Sequence, residues 1–192
     1  THIVGGELVY KCLGNFTYEI KLKVYRDCYN GDPLFDDPAR LNVFDINGTR
    51  LDSIKLSRPP WDTLPINIVD PCIVVPPNVC VEGIEYIDTI NLPYRDGGYF
   101  LSYSRCCRNY SISNIEPEPK QGATYSCYIP MRNNQTECDN SNPYFNNFPP
   151  IGICANKPLI FDHSATDPDG DSLVYEVCIP YNGGTEFDPL DV

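Results

Sequence analysis

Ten cysteines are spread along 192 residues, at Cys12, Cys28, Cys72, Cys80, Cys106, Cys107, Cys127, Cys138, Cys154 and Cys178, and no two stand in Cys-x-x-Cys spacing. An even number dispersed in this way is the pattern of a disulfide framework rather than a zinc site, and such bonds persist in oxidising compartments. All ten are therefore predicted to be bonded. The connectivity is not fixed by sequence. Cys72 and Cys80 are the most local candidates, whereas Cys106 and Cys107, adjacent on an extended strand, face opposite sides and call for different partners.

What folds between these staples is predicted to be sheet. Nineteen Pro and 13 Gly against one Met and one Trp leave little room for helix, while 42% apolar content is ordinary for a chain that buries a core. Tyr18, Ile20, Leu22 and Val24 alternate with Glu19, Lys21 and Lys23, the period-two signature of a half-buried strand. In LNVFDINGTRLDSIKL two strand-like runs flank Asn47-Gly48, the preferred pair of a type I′ hairpin turn. LVYKC, IEYIDTINL, GYFLSYSRC and ATYSCYIP supply further strands between Pro, Gly and Asn clusters.

The expected architecture is all-β: a disulfide-rich Ig-like β-sandwich over residues 1–130, then the start of a second Ig-like β-domain. Residues 131–155 contain an aperiodic Asn/Pro-rich stretch and read as a Cys-containing connector. Residues 156–192 hold KPLIFDHSA and DSLVYEVCIP, predicted as two strands joined by TDPDGD, the opening of a cadherin-like or PKD-like domain that further chain would complete.

A net charge of −12 with only 14 scattered Lys and Arg argues against nucleic acid. No apolar run reaches the roughly 20 residues of a membrane helix, and the reading is of a mature secreted form, not membrane-spanning.

Several short motifs invite enzymatic readings. IVGG at Ile3–Gly6 opens trypsin-like proteases, but only His2 and His163 exist as bases and nothing resembles the other motifs of such enzymes. The run is better read as a first strand with a Gly-Gly bend. Gly170-Asp171-Ser172-Leu173 matches the block of GDSL esterases, yet a strand-like segment follows it and no His lies downstream. No catalytic constellation emerges, and the chain is read as a non-enzyme. The same stretch makes better sense as a metal loop: Asp167, Asp169 and Asp171 stand at alternate positions, Gly170 permits a sharp turn, and Asp162 can contribute from before it. Calcium, a hard cation that takes oxygen ligands, is the expected occupant; the alternative is a solvated acidic turn. Fourteen Tyr, several on the strand alternation, fit core positions, with sugar stacking as the other use of such rings.

Asp-Ser/Thr followed by an apolar residue occurs at Ser53, Thr63, Thr89 and Ser172. The triplet resembles the O-glycosylation signal of exported Bacteroidota proteins. Asn15, Asn47, Asn109 and Asn134 head N-x-S/T sequons, relevant in a eukaryotic secretory host.

The run HIVGGELVYKCLGNFTYEIKLKVYRDCYNG, the FDDPARLNVFDINGTRLDSI that follows, and the terminal DPDGDSLVYEVCIPYNGG resemble the N-terminal region of large secreted Bacteroidota surface proteins. Those proteins carry Ig-like or PKD-like repeats and end in a gliding-motility-associated, type IX secretion sorting domain. The resemblance implies a long exported polypeptide of linked β-domains on the cell surface, acting in adhesion, gliding or fibre assembly. Expected partners are other copies of itself or further domains of the same chain, with surface glycans as a further possibility. Two forms of this remain open: a monomeric adhesin, or a filament subunit in which HIVGGELVY, if not locked in its own sheet, is donated to a neighbour. A lectin-like carbohydrate-binding module is the alternative function.

Overall fold

The computed structural model describes residues 3–29, 31, 33–65, 72–74, 77–106, 108–109, 112, 122–131, 137–147, 149–150 and 152–183. Among these residues there is no helix. One sheet contains β1 (Ile3–Cys12), β2 (Thr17–Asp27), β6 (Val81–Asn91) and β5 (Asp62–Thr63), in the order β1-β2-β6-β5. The second contains β3 (Ala39–Phe44), β4 (Arg50–Leu56), β7 (Tyr99–Arg105), β8 (Gly122–Ile129) and β11 (Asn182–Gly183), in the order β11-β8-β7-β3-β4. β9 (Tyr144–Phe145) and β10 (Ala165–Thr166) form a separate two-stranded ribbon. Every pairing between these strands is antiparallel.

The chain is thus all-β, as expected, with the predicted sandwich. Its strand order is the immunoglobulin one: β1, β2, β6 and β5 take the A, B, E and D places, and β8, β7, β3 and β4 take G, F, C and C′. A tyrosine corner accompanies it, since Tyr99 at the start of β7 donates its hydroxyl to the Pro93 carbonyl at 2.8 Å.

The alternation read in β2 holds: Tyr18, Ile20, Leu22 and Val24 are at most 1% exposed and meet Leu41, Val43, Leu101 and Tyr103 of the other sheet in one buried cluster. Burying each such aliphatic side chain contributes roughly 1.5–3 kcal/mol. The core is unusually rich in tyrosine, and buried hydroxyls need partners. Tyr86 donates to the Asp36 carbonyl at 2.7 Å and Tyr103 to Asp36 Oδ2 at 2.6 Å, so the loop between β2 and β3 is latched to both sheets. Arg26 of β2, 6% exposed, reaches into the same loop: it donates to Glu82 and to the Gly31 and Pro33 carbonyls and lies over the Phe35 ring.

The IVGG segment is part of β1. Its bend is a register shift between Ile3 and Gly5, and Ile3, Leu8 and Tyr10 are buried. HIVGGELVY is therefore locked into its own sheet from Ile3 onward, and the condition for donating it to a neighbour is not met. Residues of the connector cover the outer edge of β1: Asn142 donates its amide to the Tyr10 carbonyl and accepts from the Tyr10 amide, both at 2.9 Å. Ser141 accepts from the Cys12 amide at 3.2 Å. Covering an edge in this way removes a template for edge-to-edge pairing.

Three expectations need correction. The β3–β4 hairpin forms, but not through a type I′ turn at Asn47-Gly48, which requires positive φ at both residues. Only Gly48 has it, at 78°. Asp45 Oδ1 accepts from the amides of Asn47 and Thr49 at 2.9 and 2.8 Å, and this carboxylate-centred loop is longer than the two-residue turn.

Next, KPLIFDHSA and DSLVYEVCIP do not form the two predicted strands. Only Ala165, the last residue of the first, is in a strand, and the second is without regular pairing. Ile160, Val174 and Ile179 are 96%, 90% and 87% exposed, so the apolar pattern is present without a sheet to receive it.

The third correction concerns the cysteines. Cys72 and Cys80 are not bonded to each other; the bonds are Cys12–Cys138, Cys28–Cys80 and Cys72–Cys154. Proximity in sequence misleads because β2 and β6 are sheet neighbours, which puts Cys28 beside Cys80. Cys106 is also disulfide-bonded, and Cys107 lies outside the described residues. Cys127 and Cys178 are free thiols, contrary to the expectation that all ten are bonded: Cys127 is buried on β8 and Cys178 is exposed in the unpaired segment.

Candidate functional site

On the outer face of the first sheet the residues that alternate with the core form cross-strand rows. Glu7 of β1, Lys23 of β2 and Glu85 of β6 are register partners. Lys23 Nζ lies 2.7 Å from Glu7 and 3.8 Å from Glu85, while Lys21 lies 3.3 Å from Glu85. Burial works against the Lys23 charge, but the hydrogen bond and attraction of Glu7 leave its ammonium above the ordinary lysine value. The next row is Gly5, Tyr25 and Gly83. The Tyr25 ring lies over both glycines: a Cβ on Gly83 would meet it at 3.0 Å and one on Gly5 at 3.7 Å. A flat aromatic surface is thereby set beside a charged row.

Opposite this face stands the chain around β9 and the segment before β10, and the two enclose a cleft of about 820 Å³. Tyr25 and the Glu7–Lys23 pair line one wall; Phe145, Phe161 and His163 line the other, with the Asn146 and Asn147 amides beside them. His163 stands edge-on to Phe161 at 4.5 Å and to Phe145 at 6.4 Å. The volume falls within the usual range for small-molecule sites, about 300–1,000 Å³, and aromatic walls with a few polar groups are their usual lining. The sequence offered the tyrosines and His163 separately. The cleft itself depends on how Phe145, Phe161 and His163 come to face the sheet, which no local pattern encodes.

The acidic turn has a different arrangement from the one its spacing suggested. Asp167 Oδ1 accepts from the amides of Asp169 and Asp171 at 2.8 and 3.1 Å. Asp169 Oδ2 accepts from the Ser141 amide at 2.6 Å, fastening the turn to the connector. Asp162 accepts from the Ser164 amide at 2.9 Å and from Asn147 at 3.0 Å; the Ser164 hydrogen bonds hold its carboxyl below the usual range, with Asn147 adding to this. Among the described residues no group of three or more His, Cys, Asp or Glu side chains is placed to hold a metal ion. Asp162, Asp167 and Asp169 cap backbone amides, and Asp171 joins the turn through its own amide.

Of the O-glycosylation candidates, Thr63, Thr89 and Ser172 are exposed and Ser53 is half-buried. Asn109 is buried and donates to Asp27 at 3.2 Å, so it is closed to a glycosylating enzyme in the folded chain; Asn134 lies outside the described residues. Among the described residues no hydrogen bond joins Ser172 to His163, which instead faces the aromatic cleft.

The disulfides distribute themselves around the sandwich. Cys28–Cys80 extends the β2–β6 pairing by one step, with the Cys28 amide donating to the Cys80 carbonyl at 3.0 Å. Cys12–Cys138 and Cys72–Cys154, with sequence separations of 126 and 82, tie the sandwich to the chain that follows it. No helix among the described residues is long and apolar enough to cross a membrane. Compared with family models, curated proteins and solved structures, the chain gives no match.

Proposed function

We propose that this chain is a rigid structural or adhesive module of an exported surface protein, the reading its sequence resemblance also implies. The observation that carries it is the pair of long-range bonds Cys12–Cys138 and Cys72–Cys154, which clamp a segment of little regular structure onto an Ig-ordered sandwich. Cross-links that close loops of this length stabilise mainly by restricting the unfolded chain, by about 4–5 kcal/mol each on the chain-entropy model. They also require an oxidising compartment. Such an assembly resists pulling and proteolysis without any reacting group, and the reading assigns no catalytic step. Limited proteolysis tests it. The oxidised chain is expected to survive as one fragment while the reduced chain is cut between residues 131 and 160; equal digestion of both would contradict the reading.

A second reading, carbohydrate binding, is favoured by one observation: the cleft places aromatic faces on both walls beside amide and carboxylate groups. Sugar rings present apolar faces and hydroxyl rims, and that lining suits them. Titration with a glycan array and with Tyr25→Ala tests it. Binding lost in the variant supports the second reading; no binding to any glycan removes it.

A further inference from the structure

β11 meets β8 through two residue pairs, Asn182 with Ala123 and Gly183 with Gly122. The contact is tight, because a Cβ on either glycine would collide with the backbone of the opposing strand. Arg108 secures it from the side: its Nε donates to the Gly122 carbonyl at 2.8 Å and its guanidinium to the Tyr181 carbonyl at 3.1 Å. The register is therefore set at one end, and β8 continues for six more residues beyond Ala123, to Ile129. Among the described residues its strand partners are β7 and this short β11.

Counting four steps back from Asn182 and four steps on from Ala123 brings two residues face to face: Cys178 and Cys127. They are the two free cysteines among the described residues. Paired residues of an antiparallel ladder point to the same face, about 4.5–5.5 Å apart at Cα, and a disulfide spans about 4.4–6.8 Å. Cys127 stands on the core-facing row Val43, Leu101, Cys127, so Cys178 would be the next member of that row. The adjoining outer row is Phe44, Phe100, Tyr128, and the same register adds Val177 to it. Val177 is now fully exposed and Tyr128 is 44% exposed. The extension thus gives an apolar cross-strand neighbour to a side chain that has none in solvent. The molecule already contains one bond of this geometry, since Cys28 and Cys80 stand one step beyond the last pair of the β2–β6 ladder.

We infer that residues 177–181 extend β11 along the edge of β8 in its existing register, and that Cys178 and Cys127 then close a cross-strand disulfide. The oxidant is a small disulfide such as oxidised glutathione. The Cys178 thiolate attacks one of its sulfurs, the S–S bond breaks, and one thiol departs with the proton Cys178 gave up. Cys127 then displaces the second thiol from the mixed disulfide. Two protein thiols are oxidised by two electrons, and one disulfide is reduced to two thiols. The order follows from access: Cys178 is exposed, whereas burial pushes the Cys127 thiol up to about 12, and it becomes reactive only when a mixed disulfide is brought beside it.

The test uses the full chain with Cys28–Cys80 already closed, incubated with oxidised glutathione, alkylated and digested without reduction. A peptide carrying Cys127 linked to one carrying Cys178 is expected, with Val177 and Tyr128 losing amide exchange together. Both thiols recovered alkylated, with Cys28–Cys80 intact, would overturn the inference. Register is tested by moving the thiol one place: Cys178→Ser combined with Ile179→Cys points the sulfur to the other face, and linkage to Cys127 is expected to fall at least tenfold. Equal linkage would show a loose tail and overturn the extended strand. The inference stands apart from the proposed function: native material isolated with reduced thiols would sink the exported module yet leave this closure measurable.

Discussion

Cys28 and Cys80 face each other one step beyond the last register pair of β2 and β6, Asp27 and Val81, with their Cα atoms 5.1 Å apart. The bond between them closes a loop of 52 residues that includes β3, β4 and β5. Cys28→Ala with Cys80→Ala removes it without leaving an odd thiol. The expected cost is about 4 kcal/mol on the chain-entropy model. Thermal unfolding under oxidising conditions checks this, and the difference from the parent chain is expected to vanish when both are fully reduced.

Arg26 and Glu82 form an ion pair at 2.6 Å in which the arginine side chain is 8% exposed and the glutamate 18%. Arg26→Ala leaves Glu82 and the Gly31 and Pro33 carbonyls without their donor, an expected loss of about 3–5 kcal/mol. Arg26→Lys keeps the charge but cannot serve three acceptors in one plane, so it is expected to recover only part of the loss. Denaturant midpoints of the two variants are the measurement.

Gly6 on β1 has no room for a side chain. A Cβ there would lie 2.6 Å from the Lys23 carbonyl and 2.8 Å from the Tyr125 ring. The carbonyl belongs to the β1–β2 ladder and has nowhere to move, so Gly6→Ala is expected to cost about 1–3 kcal/mol. Gly5→Ala, whose Cβ meets its nearest neighbour at 3.7 Å, is the control and is expected to change the melting temperature little.

Asp45 organises the β3–β4 loop, and the Thr49 amide, with help from Asn47 and Arg95, holds its carboxyl below the ordinary aspartate range. A carboxyl depressed in the folded state contributes stability that is present above its unfolded value and disappears as the pH falls through the folded one. The hairpin is therefore expected to loosen only in the acid limb below about pH 4. Asp45→Asn, which can still accept the two amide hydrogens, is expected to flatten that limb. Amide exchange of Asn47 and Thr49 across this range gives the answer.

The sandwich was legible because its strands carry their own signal. Ile20, Leu22 and Val24 alternate with charged residues in β2, and each of the longer predicted strands through Ile129 forms. The segment from Leu173 to Ile179 carries a comparable apolar content and does not pair, because alternation states a preference for a sheet face and cannot supply the neighbouring strand. For Asp167, Asp169 and Asp171 the spacing shows that carboxylates lie near one another but not what they bond: the backbone amides of the turn and of Ser141 take up oxygens of Asp167 and Asp169. The cleft joins Tyr25 to residues more than a hundred positions away, Phe145 and Phe161, so it became visible only with the tertiary packing. Disulfide pairing was opaque for the same reason. Cys28 finds Cys80 through strand order, which the cysteine spacing does not contain.

The central claim is that this chain works as a cross-linked exterior module, and thiol state in native material bears on it most directly. Rapid acid quenching, alkylation and peptide mapping of freshly isolated protein would read it. Linked peptides for Cys12–Cys138, Cys28–Cys80 and Cys72–Cys154 are expected. Recovery of these six cysteines as free alkylated thiols would contradict the account.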